Sequence, residues 1–121
     1  MSNPVVQWQI VTPDPESAAT FYKSLFGWKI TANNALGYRE IETGGTNGGI
    51  WPAPPDAHSF VQLFIAVEDV ARCVDDATKL GAKVIVPVTS LPDGDTMAIL
   101  HDPNGMSFGV MQRNAGVPPA G

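Results

Sequence analysis

The chain has one cysteine, Cys73, among 121 residues. A single thiol excludes an intrachain disulfide and fits a reducing compartment. Positive charge is also scarce, with seven Lys and Arg against twelve Asp and Glu and a net charge of −5. The basic residues do not cluster, which argues against nucleic acid and anionic membrane as partners and leaves a mild preference for cationic ligands. No apolar run approaches the ~18 residues of a membrane span. The opening "MSNPVVQW" lacks a basic stretch and a cleavage site, so the expected location is cytoplasmic. No Ser–His–Asp order and no cofactor fingerprint stands out.

What the chain does have is internal repetition. "VQWQIVTPDPESAATFYKSLFGWKI" (6–30) lies over "VQLFIAVEDVARCVDDATKLGAKVI" (61–85) at an offset of 55 residues. Val6 meets Val61, Gln7 meets Gln62, Ile10 meets Ile65 and Asp14 meets Asp69. Each copy opens with period-2 alternation, the mark of a half-buried strand. Each then offers an aspartate as helix N-cap, with Pro15 and Glu16 suited to the first turn of the first helix. Apolar residues recur at helical spacing: Ala18, Phe21, Tyr22, Leu25 and Phe26, then Val70, Cys73, Val74, Ala77 and Leu80. Gly27 and Gly81 stand where a helix C-terminus favours a left-handed residue. Three short strands follow each helix: 28–32, 38–42 and 48–51, then 83–88, 96–101 and 106–111. The fold class is therefore α+β, two tandem βαβββ modules forming one curved mixed sheet with helices on its outer face. The modules span 4–51 and 60–113, the proline-rich segment 52–59 is the linker, and 114–121 is a flexible tail.

The stretch "ETGGTNGGIW" (42–51) holds four glycines. A phosphate-binding loop needs a helix N-terminus after it, and here a strand follows. Aligned at 60 residues with "DPNGMSFGVM" (102–111), the "TGGTNG" glycines read as a hairpin turn. Gly49 then pairs with Gly109, each inside a strand, where glycine often marks close approach of a ligand or another backbone.

The segments "TPDPESAATFYKSLFGW" and "HDPNGMSFGVMQ", with "VEDV", a helix and "LGAKV" between, resemble the vicinal oxygen chelate superfamily: glyoxalase I, bleomycin and fosfomycin resistance proteins and extradiol dioxygenases. The resemblance covers about Pro4 to Arg113. It implies a concave groove and a homodimer, and in metal-dependent members one ligand from the first and last strand of each module. Those positions fall here on Gln7, Gly49, Gln62 and Gly109. Two neutral amides and two absent side chains do not suit Mg²⁺, Mn²⁺, Zn²⁺, Ni²⁺ or Fe²⁺, which call for carboxylate or imidazole. No metal and no cofactor are therefore expected.

Strand parity groups Gln7, Gln9, Gly49, Trp51, Gln62, Phe64, Gly109 and Met111 on one face, as the candidate ligand site. Amides supply donors and acceptors, and Trp, Phe and Met supply polarizable surface. The two glycines are expected to open the groove floor; alternatively Trp51 and Met111 fill that space as core. The expected function is metal-free binding of a small aromatic or amphipathic molecule by a homodimer. The alternative is a glyoxalase- or isomerase-like enzyme using a divalent metal or His101, read otherwise as a turn-capping residue. Glu40 and Glu42 are read as a solvated strand edge, His58 as a loop residue and Cys73 as a small core residue.

Overall fold

The computed structural model describes residues 3–32, 37–92 and 94–113. The tail at 114–121 lies outside the described residues. Among the described residues ten elements follow one another: β1 (Val5–Thr12), α1 (Pro15–Phe26), β2 (Lys29–Ile30), β3 (Arg39–Glu42), β4 (Gly48–Pro52), β5 (Phe60–Ala66), α2 (Val70–Lys79), β6 (Lys83–Ser90), β7 (Thr96–His101) and β8 (Ser107–Gln112). This is the expected βαβββ plan, twice. The residues form two compact units, Val6–Gln62 and Leu63 onward together with the residues before Val6. The border runs through β5 and not through the proline-rich linker. That segment is tied to β1: Ala53 N donates to Thr12 O at 2.8 Å, and the Ser59 hydroxyl meets the Thr12 hydroxyl at 2.9 Å.

In the first unit the strand order is β2-β3-β4-β1. β4 runs parallel to β1, with Gln9 opposite Gly49 and Val11 opposite Trp51. β3 runs antiparallel to β4, with Glu40 opposite Gly49. The caps of α1 follow its sequence. Asp14 accepts from Ser17 N at 3.0 Å, Pro15 opens the first turn, and Gly27 adopts φ 71° to close the helix. Glycine takes that left-handed turn without the strain a side chain would bring. Under α1 lies a core of Ala19, Ile41 and Ile50, with Trp8, Ile10, Ala18, Trp28 and Ile30 packed against it. Arg39 on β3 reaches Glu16 on α1.

The apolar stripe expected along α1 is only partly buried. Ala19 is buried and Tyr22 half-buried, whereas Phe21, Leu25 and Phe26 remain 57%, 58% and 57% exposed. Tyr22, Phe26 and Trp28 instead stack on one another, with Trp28 extending the series to Trp8 at 5.6 Å. Of this helix only Ala19 is buried, so the larger apolar side chains around it keep much of their surface in solvent.

In the second unit the order is β5-β8-β7-β6. β8 is parallel to β5, with Phe64 opposite Gly109, and antiparallel to β7, with Ile99 opposite Gly109. Asp69 caps α2 by accepting from Arg72 N at 3.1 Å. The core is Val70, Ala98, Leu100 and Val110. Cys73 packs beside it, and its thiol is pushed up from its ordinary pKa by burial and by the nearby Asp76. A protonated, half-buried thiol of this kind is a packing residue.

Candidate functional site

The glycine-rich hairpin answers for its own backbone. Gly44 sits at φ 90°. Thr43 N donates to Asn47 Oδ1 at 3.2 Å, Thr43 Oγ1 to Thr46 O at 3.0 Å, and Gly45 N to Thr43 Oγ1 at 3.1 Å. The turn is closed on itself, and β4 follows it. Gly48 lies under the Trp8 indole, whose Nε1 donates to Thr46 O at 2.9 Å. A Cβ there would overlap that ring.

The glycines at 49 and 109 are not open floor. Each lies beneath an aromatic ring of its own unit. A Cβ on Gly49 would run into the Tyr38 hydroxyl and ring, and a Cβ on Gly109 into the Phe64 ring. The volume that larger side chains would take is thus filled from within the chain. Phe64 keeps the face expected of it but is only 3% exposed, seated on Gly109. Met111 stands half-buried on that face, opposite Met97 on β7 and Ala66 on β5.

The first unit gathers a polar cluster of its own. Gln7 Nε2 donates to the Tyr38 hydroxyl. Gln9 also hydrogen-bonds Tyr38, and Gln62 Nε2 donates to Gln9 Oε1 at 3.1 Å. Gln9 and Gln62 are buried, whereas Gln7, Tyr38 and Trp51 are half-buried. The rings of Tyr38 and Trp51 lie 4.7 Å apart, tilted by 40°. Burial, and secondarily the charge of Glu40, push the Tyr38 phenol up to about 12, against the pull of the Gln9 and Gln7 hydrogen bonds. The phenol is therefore neutral across the physiological range and presents an uncharged O–H.

Four of the expected residues, Gln7, Gln9, Gln62 and Trp51, thus join one cluster with Gly49 beneath it. Phe64, Gly109 and Met111 share a face in the second unit. Tyr38 was not foreseen. The β3–β4 register, continued from Arg39 opposite Ile50, places it across from Trp51, so hairpin counting from the glycine turn was the available signal. His101 ends β7 opposite Ser107, on the face of Gly109. The turn after it is held by Asp102, whose Oδ1 accepts from Asn104 N at 2.8 Å and Met106 N at 3.0 Å. Glu40 and Glu42 are exposed, as is His58.

The donor set can be tested against a divalent metal. The positions implied by resemblance offer Gln7 and Gln62 amides, both engaged with neighbours, and two glycines roofed by rings. Among the described residues, no group of three or more His, Cys, Asp or Glu is placed to hold a metal ion. These residues do not fit a divalent cation, which needs charged or imidazole donors.

Comparison with known proteins decides the family. Residues 4–110 match the Glyoxalase/Bleomycin resistance protein/Dioxygenase superfamily. The chain belongs to that superfamily. The protein CFP32 of Mycobacterium bovis is 33% identical over 112 residues, which cover 85% of this chain and 43% of that protein. The chain thus spans less than half the length of that relative. A glyoxylase-like domain-containing protein of Didymella fabae is 29% identical over 115 residues, covering 87% of this chain and 90% of that one. Among solved structures, a hypothetical protein from Bacillus halodurans superposes with a TM-score of 0.70 at 14% identity, covering 98% of this chain and 100% of that chain. Streptomyces coelicolor methylmalonyl-CoA epimerase superposes with a TM-score of 0.62 at 17% identity, covering 99% and 100%. At these identities the likeness shows a shared fold alone. No helix among the described residues is long and apolar enough to cross a membrane.

Proposed function

We propose that this superfamily member is a metal-free small-molecule-binding protein, acting as a cytoplasmic homodimer and taking up an aromatic or amphipathic ligand. One observation carries the reading: Gly49, in place of an acid, lies beneath the neutral Tyr38 phenol. Half-buried Tyr38, Trp51 and Gln7 then offer aromatic surface and neutral hydrogen-bonding groups on one face. Such a mixture suits flat ligands with a polar edge. The unpaired cysteine supports a reducing compartment.

The test is metal content and metal response. Purified protein is expected to retain no stoichiometric divalent metal. Ni²⁺, Zn²⁺ or Mn²⁺ is expected to leave the melting temperature unchanged, whereas a real site at a hundredfold excess over Kd adds about 2.7 kcal/mol. One equivalent of metal that disappears in Gln7→Ala would overturn the reading. Sedimentation is expected to give twice the chain mass at micromolar concentration; a monomer would remove the homodimer from it.

A second reading, an isomerase- or glyoxalase-like enzyme using a divalent metal or His101, draws on two observations. His101 lies half-buried on the Gly109 face, and an epimerase shares the fold. Turnover of methylmalonyl-CoA that is lost in His101→Ala would favour it over the binding protein.

A further inference from the structure

The residue that most changes the chemistry of the first unit is Tyr38. Its ring covers Gly49, its hydroxyl accepts from Gln7, and its ring centre lies 4.7 Å from that of Trp51. Behind it, Gln9 and Gln62 are buried and bonded to each other at 3.1 Å. The cluster thus contains one phenol and three carboxamides and no fixed charge.

The surrounding charges sharpen this. Glu40, opposite Gly49, is exposed on the same face and disfavours an anion. Lys29 shares that face but stands across from Glu42. Arg39 lies on the opposite face, with its guanidinium on Glu16. A cation would be drawn to Glu40 at the rim. That draws it outward, away from the Tyr38 hydroxyl and the Gln7 amide, which carry no charge to hold it.

We infer that Tyr38 is the specificity-determining residue of this site: it closes the position over Gly49 and selects an uncharged polar group, the carbonyl or carboxamide of a flat ligand. The inference rests on the metal-free binding reading above and names the ligand class for it. The phenol and the Gln7 amide meet the polar edge, and the Trp51 plane meets the ring.

Three probes of one shape and different charge test it: benzamide, benzoate and benzylammonium. Each is titrated into the intact protein at neutral pH while the indole N–H signals are followed by NMR, with Trp51 assigned through Trp51→Phe. Benzamide is expected to shift the Trp51 signal and to bind at least about threefold tighter than either ion. Tyr38→Phe is expected to weaken benzamide about two- to tenfold, the size of one neutral hydrogen bond, with the melting curve confirming a folded variant. Tighter binding of either ion at Trp51, or benzamide binding indifferent to Tyr38→Phe, overturns this inference and leaves the binding reading standing. If none of the three probes shifts Trp51, both fall.

Discussion

The two units repeat one plan and fill it differently. Each has a glycine in its last strand, paired in register with the first strand: Gly49 with Gln9, Gly109 with Phe64. In the first unit the covering ring is Tyr38, from the residue just before β3, and it brings a hydroxyl that meets Gln7. In the second unit the covering ring is Phe64, from the first strand itself, and it brings nothing polar. The helices differ likewise. α1 carries a stack of aromatic rings that stay partly exposed, while α2 rests on an aliphatic core of Val70, Leu100 and Val110. The same backbone thus carries a polar, half-accessible cluster in one copy and sealed packing in the other. A repeat preserves strand register and helix caps, but what stands over a register position depends on one or two side chains.

The sharpest way to break this contrast is a carboxylate at each glycine. Gly109→Glu drives an acidic side chain into the buried Phe64 ring, and several kcal/mol of stability should be lost. Gly49→Glu meets a phenol hydroxyl beside Gln7 and should cost less, about 2–4 kcal/mol. Adding Tyr38→Ala should recover part of that loss, because the ring and the new side chain compete for one volume. Equal losses at both glycines in chemical denaturation, with no recovery in the double variant, would erase the distinction between the units.

Truncating the covers comes next. Phe64→Ala should cost about 3–5 kcal/mol, the range for a buried phenyl. Tyr38→Phe, which keeps the ring and removes the hydroxyl, should cost about 1 kcal/mol. A Tyr38→Phe loss as large as that of Phe64→Ala would mean that the first unit is sealed packing like the second.

A last effect is in pH. The folded Tyr38 phenol ionises near 12 and the unfolded one near 10.0. Between those values the unfolded chain has lost the proton and the folded chain still holds it, so the contribution is complete below pH 10 and falls as pH rises toward 12. Spectrophotometric titration of the two tyrosines should show one transition near pH 12, absent in Tyr38→Phe. Tyr38 titrating near 10 would mean that its hydroxyl is not buried among the amides.

Much of the architecture was legible because its signals are local. Asp14 and Asp69 mark the helix starts as N-caps, and Gly27 and Gly81 take the left-handed turns at the ends. Period-2 alternation found the opening strand of each copy to within a few residues. The repeat at 55 residues implied the paired modules, and parity placed Gln7, Gln9, Gln62 and Trp51 on one face. The exposure of Phe21, Leu25 and Phe26 was not legible, since helical spacing tells which residues share a face and not how much sheet is there to cover them.

What stands over the two glycines only the tertiary structure decided. By itself the sequence determined that positions 49 and 109 lack side chains, that both lie within strands, and that Gln7 and Gln62 offer amides where charged ligands would otherwise stand. An absent side chain reads as space until the neighbouring strands are in place. Tyr38 reaches Gly49 only because β3 folds back on β4 with Glu40 opposite Gly49, and Phe64 covers Gly109 only because β5 lies beside β8 in that register. Interiors pack to crystal density, so a vacancy left by one residue is taken by the nearest ring that can reach it, and which ring that is depends on strand pairing between residues distant in the chain.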